Sequence, residues 1–224
     1  MRRADLVERL ADLVSAVRSE HPVRVAVDGV DGAGKTTLAD ELAAAVRVRA
    51  RECIRASIDG FHRPRAERYR RGRWSPLGYY RDSFDLAALQ QLLLAPLGPQ
   101  GSRRYRAAAF DHRADVPVHT GERVAAGDAV LLFDGVFLHR PELRPFWEAS
   151  IFVRVDLLTA AGRAMHRDRR TGSPGEELRS LCVRRYLPAQ HMYVSRLRPE
   201  DRADAVVVND EPERPELVLA PRVG

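Results

Sequence analysis

The sequence of 224 residues is poor in cysteine, methionine and tryptophan, with two, three and two residues respectively. Two cysteines without paired spacing exclude a disulfide framework and a cysteine-based zinc site. No apolar run reaches the 18 or more residues of a membrane-spanning helix. Residues 1–20 predict an amphipathic helix with Leu6, Leu10 and Val14 on one face, rather than a signal peptide. We therefore expect a cytoplasmic protein that does not associate with membranes.

Lysine is rarer still, because Lys35 is the only lysine among 37 basic residues. The segment from Gly29 to Thr36 fits the Walker A pattern G-x-x-x-x-G-K-[ST], which cradles nucleotide phosphates. A compact ammonium suits that position better than the planar fork of arginine. The predicted nucleotide-binding residues are Gly29, Asp31, Gly32, Ala33, Gly34, Lys35, Thr36 and Thr37. The hydroxyl of Thr36 is predicted to serve Mg²⁺, and the net charge of +6 favours anionic partners such as nucleotides.

The surroundings of this loop predict an α/β fold. Residues 23–27 alternate like a buried strand, and residues 36–48 form an alanine- and leucine-rich helical pattern. Further strands are predicted at 53–58, 129–133, 149–155 and 205–208, and helices at 85–94 and 176–186. We expect one domain over residues 1–224 with a P-loop NTPase-type parallel sheet, covered by helices on both faces. An inserted hairpin-like segment at about 98–127 and a helical lid at about 160–175 complete the predicted organisation.

Two aspartates follow predicted strands, where ligands of parallel sheets bind. Asp134 follows an apolar strand, as a Walker B carboxylate does, and is predicted to hold Mg²⁺ together with Thr36. Asp59 follows the strand at 53–58 and is predicted to accept the proton of an acceptor hydroxyl. Both aspartates precede a glycine, so a plain turn is the alternative at each position.

Arginines dominate two further segments. Arg163, Arg167 and Arg170 have helical spacing, and we expect Arg167 and Arg170 to stabilise the transferring phosphoryl group from the lid. A solvated basic face is the alternative. Residues 63–73 contain six arginines with aromatic residues nearby. This segment is either an acceptor-binding loop, which we favour, or a nucleic-acid surface.

Several segments together resemble the uridine kinase and phosphoribulokinase family of P-loop kinases. Beside the P-loop, the motifs that carry the resemblance are Ser57-Ile58-Asp59-Gly60-Phe61-His62, Gly78-Tyr79-Tyr80-Arg81-Asp82-Ser83-Phe84-Asp85, Phe110-Asp111, Leu132-Phe133-Asp134-Gly135, the arginines at 163–170 and Ala203-Asp204-Ala205-Val206-Val207. The resemblance implies that Asp59 is the general base and that Asp82 binds ribose hydroxyls. It places the acceptor against Asp82, Phe61, His62, Phe110 and Arg163.

The sequence also departs from this family. His62 stands where uridine kinases carry tyrosine, and Asp134 stands where they carry glutamate. The histidine that reads the pyrimidine has no clear counterpart. The Asp-Gly-Phe at residues 59–61 is also similar to pantothenate kinases. The resemblance therefore supports the fold and the type of reaction more strongly than it supports a particular substrate.

These observations predict an ATP- and Mg²⁺-dependent kinase that phosphorylates a hydroxyl of a small acceptor, with a nucleoside favoured. A pantothenate- or sugar-type acceptor is the alternative, and a nucleic-acid-binding P-loop ATPase is less favoured. A guanine-reading switch is excluded, because its Asn-Lys-x-Asp motif needs a second lysine. The acceptor's identity, ATP versus GTP as donor and a homo-oligomeric state stay open.

Overall fold

The computed structural model describes residues 1–169 and 175–220. Its strands are, in chain order, β1 (Val23–Gly29), β2 (Cys53–Ser57), β3 (Arg104–Tyr105), β4 (Phe110–Asp111), β5 (Val116–Pro117), β6 (Arg123–Val124), β7 (Val130–Gly135), β8 (Ala149–Arg154), β9 (Ala205–Val208) and β10 (Glu216–Leu219). Its α-helices are α1 (Arg3–Ala16), α2 (Lys35–Val48), α3 (Arg65–Arg68), α4 (Pro76–Asp82), α5 (Leu86–Leu89), α6 (Leu157–Arg169), α7 (Gly175–Leu181) and α8 (Leu187–Leu197).

The central sheet has the strand order β10-β9-β8-β1-β7-β2 within the described part of the chain. All neighbouring strands are parallel except β10, which runs antiparallel to β9. The predicted α/β fold is confirmed. Strand β10 was not predicted, because it lies at the edge of the sheet and most of its residues are exposed, so its sequence carries little hydrophobic signal.

Strand β1 lies at the centre of the sheet, and all seven of its residues are buried. Val23, Val25 and Val27 pack on one face with residues of α1 and α2. Ala26 packs on the other face, in a cluster that also contains residues of α5 and α8. Because successive side chains of a strand point to opposite faces, helices on both sides of the sheet bury it completely. The loop after β1 is therefore anchored in the middle of the hydrophobic core.

The segment at 98–127 contains two short antiparallel ladders, β3 with β6 and, between them, β4 with β5. The Ala109 N–H donates to the Gly60 carbonyl at 2.8 Å, which ties this excursion to the turn that carries Asp59. The ladders thus bring the loop around His112 close to the carboxyl ends of the central strands.

The helices predicted at 85–94 and 176–186 are irregular. The α-helical residues of α5 and α7 continue into π-helical turns at Gln90–Leu94 and Cys182–Tyr186. The second π turn leads directly into α8, so α7 and α8 form one nearly continuous rod. No helix of the described chain is long and apolar enough to cross a bilayer.

Candidate active site

The loop between β1 and α2 has the backbone geometry of a phosphate cradle. Gly32 and Gly34 have φ of 79° and 92°, in the left-handed region that favours glycine. A Cβ atom on Gly32 would lie 2.0 Å from the carbonyl oxygen of Ala160, so α6 packs directly on this loop. Helix α2 begins at Lys35, and its N-terminus therefore directs backbone N–H groups into the loop.

Lys35 lies inside this loop and is buried. Its Nζ donates to the carbonyl oxygen of Val30 at 2.7 Å. On the outside of the loop, the Asn209 Nδ2 donates to the carbonyl oxygen of Ala33 at 2.8 Å. The loop is thus held in a curled form in which the ammonium keeps two further N–H groups for phosphate oxygens.

Thr36 and Asp134 meet at the carboxyl end of the sheet. The Thr36 Oγ1 donates to the Asp134 Oδ2 at 2.7 Å, and Arg55 forms an ion pair with Oδ1 at 2.9 Å. No group of three or more metal-binding side chains occurs in residues 1–169 and 175–220. One hydroxyl and one carboxylate suit Mg²⁺, which keeps waters and binds substrate phosphates, better than a metal held by protein ligands alone.

A cavity of about 880 Å³ surrounds these groups. Its lining includes Lys35, Thr36, Asp59, Asp134 and Arg163. The Asp59 side chain stands on the turn after β2, is exposed, and faces this space across from the P-loop. The structure therefore brings the predicted phosphate, metal and base residues around a single cavity.

A second cavity, of about 180 Å³, adjoins the first one. Its described lining comprises Asp31, Asp59, His62, Arg68, Tyr79, His112, Ala161, Ala164, Met165, Cys182, Tyr186, Leu187 and Gln190. Asp31, Asp59 and His112 line both cavities, so the two spaces meet at these side chains. A cavity beside the base and below the usual size of drug-sized sites fits a small acceptor.

The predicted acceptor-binding residues are distributed unevenly. His62 lines the second cavity, and Arg163 lines the first, where its guanidinium donates to the backbone carbonyls of Asn209 and Asp210. Phe61 is fully buried in the core against Phe133, because its side chain points inward from the turn. Phe61 therefore lines neither described cavity.

Phe110 and Asp82 also line neither cavity in the described chain. Phe110 is buried in strand β4. The Asp82 carboxylate is buried and forms ion pairs with Arg70 at 2.7 Å and Arg71 at 2.8 Å. Burial opposes its ionisation, but these arginines outweigh that effect and lower the pKa of Asp82. The described partners of the Asp82 carboxylate are therefore two arginines of the segment at 63–73, and its contact with a ribose stays a prediction.

Two predicted catalytic arginines cannot be placed. Arg167 belongs to α6, but its side chain lies outside the described residues, and Arg170 lies outside them entirely. The predicted P-loop residues Gly29 and Ala33 are buried and do not belong to the described lining of the first cavity.

The arginine loop at 63–73 is largely neutralised. Five of its six arginines have a carboxylate partner, in the pairs Arg63–Glu67, Arg68–Asp115, Arg70–Asp82, Arg71–Asp82 and Arg73–Glu177. The fully buried Arg185 donates to the backbone carbonyls of Arg68, Arg73 and Ser75 and holds the loop from inside. These ion pairs offset much of the positive charge of the segment and so weaken the case for a nucleic-acid surface.

The ring of His62 stacks on His112, with ring centroids 4.6 Å apart, and packs against Phe84 at the same distance. Burial lowers the pKa of His62 to about 3, although a contact with the Asp59 carbonyl acts in the opposite direction. The ring is therefore neutral near pH 7 and adds no positive charge to the second cavity.

Sequence reasoning missed a buried network directly before the P-loop. The Asp28 carboxylate is fully buried and accepts hydrogen bonds from the Gly29 N–H at 2.7 Å, the His139 Nδ1 at 2.7 Å and the Tyr193 hydroxyl. An aspartate near the end of a buried strand was the available signal, because a buried carboxylate requires donors. The network was missed because the side-chain donors, His139 and Tyr193, lie 111 and 165 positions away in the chain.

No protein-family model matches the chain, and no curated protein matches its sequence. Three solved structures show what its fold is similar to. A protein described as a possible uridine kinase from Bacillus stearothermophilus has a TM-score of 0.68 and 23% identity, over 90% of this chain and 97% of that one. A candidate fructose transport system kinase from Silicibacter sp. TM1040 has a TM-score of 0.69 and 24% identity, over 87% and 95%.

The third structure, a D-glycerate 3-kinase from Cryptococcus neoformans var. grubii, has a TM-score of 0.58 and 16% identity, over 82% of this chain and 87% of that one. The TM-scores show a shared fold, and identities of 16% to 24% show no more than that. The chain thus has the fold of these three solved structures, in agreement with the fold that the resemblance in its motifs implied.

Proposed function

We propose that this protein is an ATP- and Mg²⁺-dependent kinase that transfers a phosphoryl group to a hydroxyl of a small acceptor. The observation that supports this most strongly is the convergence of Lys35, the Thr36 and Asp134 pair, and Asp59 on one cavity. Phosphoryl transfer needs mainly positioning and electrostatic stabilisation, and these residues supply both.

Each residue has a distinct role in this proposal. Lys35 and the P-loop N–H groups hold the β- and γ-phosphates, and Arg163 lies on the same cavity. Thr36 and Asp134 hold Mg²⁺, which neutralises the charge that develops on the phosphate oxygens. Asp59 orients the acceptor hydroxyl and accepts its proton as the oxygen attacks. The second cavity holds the body of the acceptor.

The resemblance favours a nucleoside as the acceptor. Asp82, which the resemblance assigns to the ribose, lines neither described cavity, so the support for a nucleoside is limited to the motifs. A sugar-type acceptor is therefore the second candidate, because the small second cavity and its polar lining suit it equally well. A nucleic-acid-binding ATPase has less support, since the arginine loop is paired with carboxylates.

The proposal is tested by ADP release in the presence of nucleosides, sugars and pantothenate. Lys35→Ala removes a charge that acts on the phosphates, so we expect acceptor-dependent turnover to fall by about 10²- to 10³-fold or more. Arg9→Ala is the matched control, because it removes an exposed basic side chain on α1. A Lys35→Ala variant that is folded and fully active would end the kinase interpretation.

A further inference from the structure

Asp31 belongs to the P-loop by sequence, yet it lines the acceptor side of the site as well. Together with Asp59 and His112, it borders both cavities in the described chain. If Asp59 receives the reactive hydroxyl, then Asp31 stands next to the part of the acceptor that adjoins this hydroxyl. The carboxylate of Asp31 thus lies where it can select the acceptor.

The Asp31 side chain is held in a fixed orientation by two buried partners. The Tyr79 hydroxyl donates to Oδ2 at 3.0 Å, and the Gln190 Nε2 donates to the same oxygen. The backbone N–H of Asp31 donates in turn to the Gln190 Oε1 at 3.0 Å. Burial, and then the charge of Asp31, raise the pKa of Tyr79 well above its usual value, so this phenol stays a donor.

All side-chain hydrogen bonds to Asp31 from residues that the structure describes end on Oδ2. Among the described residues no donor reaches Oδ1, so with respect to that part of the chain this oxygen can accept a further hydrogen bond. Because Tyr79 and Gln190 fix the plane of the carboxylate, this oxygen is preorganised for a ligand donor.

The charges around the second cavity are unbalanced. Two carboxylates, Asp31 and Asp59, line it, and Arg68 is the one guanidinium or ammonium group in its described lining. Arg68 already forms an ion pair with Asp115 at 2.8 Å. The neutral His62 does not compensate. An acidic acceptor would meet two like charges in a confined space, whereas a neutral hydroxyl compound donates to them.

We propose that Asp31 is a specificity-determining residue: its Oδ1 accepts a hydrogen bond from a second hydroxyl of an uncharged polyhydroxyl acceptor, and its charge excludes acidic acceptors. The inference rests on the proposed function, because it assumes that the acceptor occupies the second cavity. It selects nucleosides and sugars over pantothenate-type molecules and hydroxy acids.

The test measures acceptor binding by calorimetry in the presence of Mg²⁺ and a non-hydrolysable ATP analogue. The probes are uridine and two pairs that differ by oxidation of one carbon to a carboxylate, D-ribose with D-ribonate and glycerol with D-glycerate. We expect uridine or at least one neutral compound to bind, and each neutral member that binds to do so at least about tenfold more tightly than its acid.

Asp31→Asn keeps the size of the side chain and removes its charge. We expect affinity for the neutral acceptor to fall by about 10- to 100-fold and the neutral-to-acid ratio of affinities to collapse. Asp12→Asn, at an exposed carboxylate of α1 paired with Arg49, makes the same chemical change and should alter none of these values.

Tyr79→Phe is the second variant. It retains the charge of Asp31 and removes one of its fixing hydrogen bonds. The affinity for the neutral acceptor should therefore fall less than in Asp31→Asn, and the acids should still bind more weakly than the neutral compounds. This variant keeps the test decisive if Asp31→Asn folds poorly, because acid binding by Tyr79→Phe at the level of the neutral compounds would contradict the proposal.

Tighter binding of the acids by the wild-type protein, an unchanged ratio in folded Asp31→Asn, or binding of no neutral probe would overturn the inference. These outcomes differ from failure of the proposed function. Selective binding of neutral acceptors without any ADP release would contradict the kinase proposal and leave the role of Asp31 intact. Acceptor-dependent ADP release, together with an unchanged neutral-to-acid ratio of affinities in Asp31→Asn, would support the kinase proposal and contradict the role of Asp31.

Discussion

Asp59→Asn should separate chemistry from folding and from nucleotide binding. The Asp59 side chain is exposed, and the hydrogen bonds described for this residue involve its backbone. Its N–H donates to the Ser57 Oγ at 3.3 Å, and its carbonyl oxygen accepts from the His62 Nδ1 at 3.1 Å. Asparagine keeps these contacts, so the free energy of unfolding should change by no more than about 0.5 kcal/mol. Loss of a general base should lower kcat by about 10²- to 10⁴-fold, which is roughly 3 to 5 kcal/mol of activation free energy.

Three measurements on the same preparation decide this prediction. A coupled assay of ADP release gives kcat, urea unfolding gives stability, and calorimetry with an ATP analogue gives nucleotide affinity. We expect only kcat to change, because none of the hydrogen bonds described for Asp59 reaches the P-loop. Unchanged turnover with a lower unfolding midpoint would show that Asp59 is a turn residue and not a base.

Two further predictions concern buried polar groups. In the folded protein the pKa of His62 is about 3, against an ordinary value of 6.5. Between these pH values the unfolded chain therefore binds a proton at His62 that the folded protein does not bind. The free energy of unfolding is therefore unaffected by His62 above about pH 6.5 and decreases as the pH falls, by roughly 2 kcal/mol from pH 7 to pH 5. His62→Gln should remove this part of the pH dependence in urea unfolding, and an identical pH dependence in the variant would refute the assignment. Asp28→Asn replaces one carboxylate oxygen with an NH2 group, which would face the hydrogen-bond donors of Gly29, His139 and Tyr193. The free energy of unfolding in urea should therefore fall by about 3 kcal/mol. Tyr193→Phe removes one of these donors, so it should lower the free energy of unfolding by less than Asp28→Asn does. An equal decrease in both variants would contradict this account.

The parts of the site that the sequence predicted are those encoded by neighbouring residues. The P-loop, the strand before it and the helix after it form one continuous segment, so the spacing of Gly29, Gly34 and Lys35 carries the information. Asp134 was predictable for the same reason, because an apolar strand directly precedes it. The structure places it in hydrogen-bond contact with Thr36, and a metal site there stays a prediction.

The parts that the sequence did not predict depend on contacts between distant segments. Asp82 has the expected motif around it, but its partners Arg70 and Arg71 arrive from a loop whose path no local pattern indicates. Gln190, which orients Asp31, lies 159 positions away in the chain. A turn signal locates Phe61 correctly yet does not reveal on which side of the turn its ring is buried.

The hydrogen bond from Asn209 to the Ala33 carbonyl has a consequence for biosynthesis. The loop residue leaves the ribosome 176 positions before the side chain that braces it. Strand β1 likewise waits for its sheet neighbours, which are supplied by β7 and β8. At translation rates of about 5 to 20 residues per second, this interval lasts roughly 9 to 35 s. During that time the loop between β1 and α2 lacks its hydrogen bond from Asn209. A product that stops before residue 209 lacks this hydrogen bond permanently.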